Sequence, residues 1–256
     1  MNSLSHDRLA AALVTEADRF GTAIAGADPG LRVPTCPEWT LRELTCHVGI
    51  AYHKSAVIIA SRPTGYVPFE AVTVDDPPAF EALGGWLRDG AQRLVAAVAE
   101  VGPETPTSTW TPDRRAGFWT RRLTHETVVH RADAAFATGT PYAVDADLAA
   151  DGISEGLGLV ATFSSRQHPA LDRTSLRGTG ETLLFHATEP EVHWLVRRTP
   201  AGVEVGQEAA EADVVVEGRA ADLLLALTGR LAAGDPRLTV SGDAALFHHW
   251  REHTRF

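Results

Sequence analysis

Apolar residues recur at steps of three and four along the first two thirds of the chain, and at steps of two in the last third. The first rhythm predicts helices, the second strands. Leu9, Leu13, Ala17, Phe20 and Ile24 mark a helix over about 5–27, stopped by Asp28-Pro29-Gly30. A proline-bracketed extended segment follows, Val33 to Trp39. Thr40-Leu41-Arg42-Glu43 then reads as a capping box, with Thr40 as N-cap and Glu43 reaching back to its amide. The helix it opens runs to about Ser61 with Leu41, Leu44, Val48, Ala51, Ser55 and Ile58 on its inner face, and His47 at the edge of that face. A third helix, about 79–100, carries Phe80, Leu83, Leu87, Leu94 and Val98. A fourth, about 116–138, ends at Gly139-Thr140-Pro141, and a fifth pattern covers about 146–164.

Helices joined by longish loops predict a bundle. The texture changes at Ser164-Ser165-Arg166-Gln167-His168-Pro169, which reads as a linker. Beyond it, 182–187, 192–197 and 212–217 alternate like strands. Ala220 to Ala232 is a Leu-rich helix, Leu238-Thr239-Val240 a short strand, and Asp243 caps a last helix through about His253. The expectation is an α+β chain: a helical bundle over 1–165 and a small α+β domain over 170–256.

Charge narrows the partners. The formal net charge of −10 argues against a nucleic-acid partner, whose phosphates are met by Lys and Arg. No basic run seeks an anionic membrane, and no apolar run has the roughly 20 residues of a membrane span. Met1 to Asp7 lacks the pattern of a signal peptide, so the expected setting is the cytoplasm, with Cys36 and Cys46 reduced. Lys54 is the only lysine, a bias of codon usage more than of chemistry.

Candidate chemistry gathers in the fourth helix, at Thr124-His125-Glu126-Thr127-Val128-Val129-His130-Arg131-Ala132-Asp133. At about 100° per residue, Glu126 and His130 lie one turn apart on one face, and Asp133 joins them. His125 points elsewhere: the two histidines are five apart, unlike the His-Glu-x-x-His spacing of zincins. The Glu126–His130 pair reads either as a hydrogen-bonded pair on a helix surface or as half of a metal site. In a bundle, inward residues of helices two and four meet, which makes His47 the natural third ligand. Two imidazoles and a carboxylate would leave a fourth position open, the pattern of a catalytic metal site. Asp133 is open to three roles: a further ligand or general base, a partner for an imidazole, or an ion-pair partner for an arginine such as Arg122. Cys36 and Cys46 read as small buried apolar groups in preference to soft metal ligands. Trp39 and Trp119 read either as core or as walls of a site, and His248-His249 as diverging surface residues.

Two stretches carry a family resemblance. Pro34-Thr35-Cys36-Pro37-Glu38-Trp39-Thr40-Leu41-Arg42-Glu43-Leu44, followed by His47-Val48-Gly49, resembles the first signature of the mycothiol-dependent maleylpyruvate isomerase family. Phe118-Trp119, Arg121-Arg122, His125-Glu126 and His130-Arg131, with Asp133-Ala134, resemble the second. Leu227-Thr228-Gly229-Arg230 and Val240 to Leu246 are similar to its C-terminal part. The resemblance implies a DinB-like four-helix bundle followed by a small α+β domain. It implies that His47, Glu126 and His130 bind a divalent metal, usually zinc, which activates the thiol of mycothiol. It also offers Arg230 as a group that binds a carboxylate of the cofactor or substrate, beside the plainer role of an arginine at a helix end.

The expected function is therefore attack of a metal-activated thiol on a small electrophilic substrate, giving cis–trans isomerisation or S-transfer, in a monomer or small homo-oligomer. Two other readings remain at this point: a metal-dependent hydrolase with Asp133 as base, and a non-catalytic metal-binding or regulatory protein.

Overall fold

A computed structural model describes residues 3–165 and 174–254. The chain forms two compact units, Ser5–Tyr142 and a second that begins at Ala143. The architecture is α+β.

The first unit holds four helices: α1 (His6–Ile24), α2 (Leu41–Ala60), α3 (Leu83–Val101) and α4 (Gly117–Thr138). Their starts and stops follow local chemistry. Ser5 caps α1 by accepting from the Arg8 amide. Thr40 and Glu43 form the expected capping box on α2, with the Thr40 amide donating to Glu43 Oε2 at 2.7 Å. Gly139, at φ 70°, closes α4 in the left-handed conformation that an L side chain disfavours. The third helix starts later than its apolar rhythm predicts, because Phe80–Ala82 forms a 3₁₀ turn before α3. The proline-bracketed segment before α2 becomes a two-stranded antiparallel ribbon, β1 (Arg32–Val33) and β2 (Cys36–Thr40).

The stripes expected from the sequence are the core: Leu13, Phe20, Leu41, Leu44, Val48, Leu87, Leu94 and Val98 are buried together, and Tyr52 and Leu123 join them. Small residues let the helices approach. A Cβ on Gly21 of α1 would stand 3.0 Å from the Gly84 Cα of α3, so the two backbones meet directly there. One on Gly49 of α2 would stand 2.0 Å from the Trp86 ring. α4 is the polar exception. It buries His125, Arg131 and Asp133 beside its apolar residues. Such groups must be partnered; Arg131 Nε donates to Glu16 Oε2 at 2.6 Å, tying α4 to α1 through a pair that is almost fully buried.

The second unit has α5 (Ala146–Ser164), then β3 (Thr182–Thr188), β4 (Glu191–Thr199), β5 (Gly202–Gly206), β6 (Val214–Gly218), α6 (Ala220–Leu227), β7 (Thr239–Gly242) and α7 (Ala244–His253). The sheet order is β5-β4-β3-β6-β7, antiparallel except for the β3–β6 pair. Phe185 packs against Phe247 and Trp250 of α7.

Three further features depart from expectation. α5 belongs to the second unit, not to the bundle: Trp194 Nε1 donates to Ser154 Oγ at 2.8 Å, and Ser164 Oγ accepts from the Val203 amide at 2.8 Å. A hydrophobic period says that a helix has a buried face, not which element covers it, and the division falls before this helix and not near 165. The strand β5 goes unmarked in the hydrophobic pattern, because it is a Gly-bracketed edge strand defined by its pairing to β4. α6 stops at Leu227, since Gly229 at φ 79° turns the chain. Of the expected linker, Arg166 to Pro169 lie outside the described residues. Among the described residues, no helix is long and apolar enough to cross a membrane.

Candidate metal centre

The helical period of α4 puts Arg122, Glu126 and His130 one turn apart on one stripe, with Asp133 closing it. The structure brings His47 of α2 to this stripe. His47 Nε2 lies 3.2 Å and His130 Nε2 3.1 Å from the same carboxylate oxygen, Glu126 Oε1. The other oxygen, Oε2, accepts from Arg122 at 2.8 Å. Arg122 is thus a partner of Glu126. Eleven residues along a helix separate it from Asp133 by roughly 16 Å, too far for the ion pair considered from sequence. The i,i+4 spacing of Arg122 and Glu126 carried this signal.

Behind His130 stands Asp133, with no exposed surface. Its Oδ2 lies 2.8 Å from His130 Nδ1, and Thr35 donates its hydroxyl to Oδ1. The Cys36 thiol lies 3.7 Å from Oδ2. Asp133 therefore orients an imidazole and fastens β2 to α4, and its surroundings leave it no position as a solvent-side base. Trp39, on the same ribbon, covers both imidazoles, with ring centroids 4.7 Å from His47 and 6.0 Å from His130. The two imidazoles meet edge to face at 5.4 Å. His47 remains 42% exposed and marks the open side.

The charges are interlocked. Burial alone would lower the His130 imidazole, but its hydrogen bonds to Asp133 and Glu126 prevail and hold it up to about 9. Burial would raise Glu126, yet the hydrogen bonds of His130 and His47 and the charge of Arg122 hold it well below the carboxylate range. The carboxylates thus call for a positive charge at this point.

The donor set fits a divalent ion. Ligands at roughly 2.0–2.1 Å around a tetrahedral ion stand about 3.3 Å apart, close to the 3.1 and 3.2 Å between Glu126 Oε1 and the two Nε2 atoms. With Nδ1 of His130 held against the Asp133 carboxylate, Nε2 is the atom turned toward Glu126 and His47 and able to take an ion once it gives up its proton, an arrangement typical of metal-binding histidines. Among the described residues, two groups of three such side chains have ligand atoms within 4.8 Å of one another: His47, Glu126 and His130, and Cys36, His130 and Asp133. The second group was not legible in the sequence, because Cys36 is 97 residues from Asp133.

The remaining candidates lie elsewhere. His125 is buried away from this stripe. Trp119 is core, its Nε1 donating to the Ser108 carbonyl at 2.9 Å while its ring stacks on Phe69. Neither Cys36 nor Cys46 forms a disulfide. His248 pairs with Glu252 and His249 with the Ser175 carbonyl, so they diverge. Arg230, in the second unit, donates to the Thr228 carbonyl at 2.6 Å beside the end of α6.

A bundle with an imidazole–carboxylate cluster between two of its helices, joined in one chain to a five-stranded α+β unit, defines a narrow class of protein. The Mycothiol maleylpyruvate isomerase N-terminal domain matches residues 10–135, and the MDMPI C-terminal domain matches 147–249. The chain belongs to the mycothiol-dependent maleylpyruvate isomerase family. The second match begins within α5, in keeping with that helix's place in the second unit. Its fold is similar to crystal structures of a mycothiol-dependent maleylpyruvate isomerase and of a mutant of that enzyme. The TM-scores are 0.62 and 0.61, each at 15% identity, covering 94% of this chain and 96% of that one. No curated protein sequence matches it.

Proposed function

We propose that this chain is a metal-dependent thiol enzyme of the isomerase or S-transferase type. His47, Glu126 and His130 would hold a divalent ion, with zinc the best fit to two imidazoles and a carboxylate. Mycothiol would be the thiol, and a small electrophilic molecule the second reactant. The observation that carries the reading is the convergence of both Nε2 atoms on Glu126 Oε1, in a chain of this family.

Such an ion supplies positive charge that favours the thiolate form of an incoming thiol over the thiol. The chain's own residues supply order. Asp133 keeps the His130 proton on Nδ1, so that Nε2 stays available. Arg122 holds Glu126 Oε2 and leaves Oε1 to the imidazoles. Trp39 walls one side of the cluster with apolar surface, which keeps water from it, and reactants enter on the exposed side of His47. Addition of a thiol to a cis double bond, rotation and elimination gives isomerisation, whereas stopping at the adduct gives S-transfer. Hydrolysis has less support, because Asp133, the base it would use, is buried and engaged with His130. Reduced cysteines and a thiol cofactor fit a cytoplasmic setting.

The test is metal content and thiol binding. One equivalent of zinc per chain is expected, lost in His47→Ala and Glu126→Ala, with mycothiol binding only to the metal-loaded form. Equal thiol binding by chelator-treated and loaded chains would overturn the proposal. A loaded chain that binds no low-molecular-weight thiol would make it a metal-binding protein without this chemistry.

A further inference from the structure

We propose that Cys36, His130 and Asp133 form a second metal position, selective for thiophilic ions such as cadmium(II) or copper(I). Their donors are one sulfur, one nitrogen and one carboxylate oxygen, all within 4.8 Å of one another. Sulfur selects soft ions over the harder ones that oxygen and nitrogen serve. The position is built from two elements: Cys36 comes from β2, while His130 and Asp133 are adjacent turns of α4. Asp133 Oδ2 lies 2.8 Å from His130 Nδ1 and 3.7 Å from Cys36 Sγ. Thr35 engages the other carboxylate oxygen and anchors the ribbon that carries Cys36. At a zinc-sized ion, bonds of roughly 2.3 Å to sulfur and 2.0–2.2 Å to a carboxylate oxygen set those two donors about 3.5 Å apart, close to the 3.7 Å between Cys36 Sγ and Asp133 Oδ2.

His130 belongs to both groups, through different atoms: Nε2 faces Glu126, and Nδ1 faces Asp133. A neutral imidazole has one lone pair, so it serves one group at a time. When a soft ion binds, the Cys36 thiol loses its proton to solvent, and the sulfur–metal bond forms. His130 Nδ1 also releases its proton to solvent, and the imidazole keeps its other proton on Nε2, which donates to Glu126 Oε1 at 3.1 Å. The two positions are therefore mutually exclusive. That a soft ion would expel zinc, and so inhibit, rests in addition on the function proposed above.

The test is a titration of the full chain, stripped with a chelator, with Cd2+, read by the ultraviolet thiolate-to-cadmium charge-transfer band. The wild type should saturate at one equivalent. The band should vanish in Cys36→Ser and Cys36→Ala, the second guarding against a variant that fails to fold, and persist in Cys46→Ser and His47→Ala. Cys36 and Cys46 are the chain's two cysteines, so the band has only two possible sources. No band in the wild type, a band that survives loss of Cys36, or one that disappears with Cys46 or His47 would overturn the proposal. A wild type that shows the cadmium band but binds no zinc would leave this position standing and remove the function proposed above.

Discussion

His130 Nδ1 faces Asp133 Oδ2 across 2.8 Å, and Asp133 has no surface open to solvent. The carboxylate therefore acts on whatever His130 does, without touching it. Asp133→Asn keeps the size and removes the charge. It should weaken zinc affinity by roughly 10–100-fold, measured by competition with a chromogenic chelator, while far-ultraviolet dichroism stays unchanged. Affinity equal to wild type would show that His130 needs no orienting partner.

The Arg131–Glu16 pair should act on stability and not on the metal. Both side chains are nearly inaccessible, and the Arg131 guanidinium also lies over the Tyr142 ring at 4.4 Å. Removing one charge strands the other: Arg131→Met alone should cost roughly 3–5 kcal/mol in urea unfolding. Glu16→Leu with Arg131→Met should recover much of that loss. A single variant as stable as wild type would show that water reaches the pair.

Close helix approach predicts opposite signs for two glycines. Gly49→Ala drives a methyl group into Trp86 and should destabilise by about 1–3 kcal/mol. Gly85→Ala in α3 meets nothing within 4 Å and should stabilise by roughly 0.5–1 kcal/mol. Thermal unfolding of the two variants beside wild type decides both.

Acid sensitivity should trace in part to His53. Burial against Trp86 pushes its imidazole below the usual value, and a hydrogen bond to the Trp86 backbone only partly opposes this. As pH falls through about 6.5, the unfolded chain takes up a proton there that the folded chain does not. The folded state is therefore favoured above that pH and loses stability below it. Unfolding curves of wild type and His53→Gln between neutral and mildly acidic pH should converge as pH falls. Parallel curves would mean that His53 titrates alike in both states.

Much of this was legible before any coordinates. The Thr40–Glu43 capping box, the Gly139 terminus and the Asp243 cap are local: each depends on backbone groups within a few residues. The first helix ends at Ile24, ahead of the Asp28-Pro29-Gly30 stop expected for it. The shared face of Glu126 and His130 is local too, because the helical period alone aligns residues four apart.

Which faces meet is another matter, since that depends on how whole stripes and small residues interlock. Packing brought His47 of α2 to Glu126, placed Trp39 over both imidazoles, and set Cys36 beside Asp133 across 97 residues of chain. It also drew α5 to the sheet and made β5 a strand. By itself the sequence determined the helices and the half of the centre that lies on one of them. Only the tertiary structure decided the other half, because contacts between distant segments follow from the packing of the whole core and not from the spacing along any one helix.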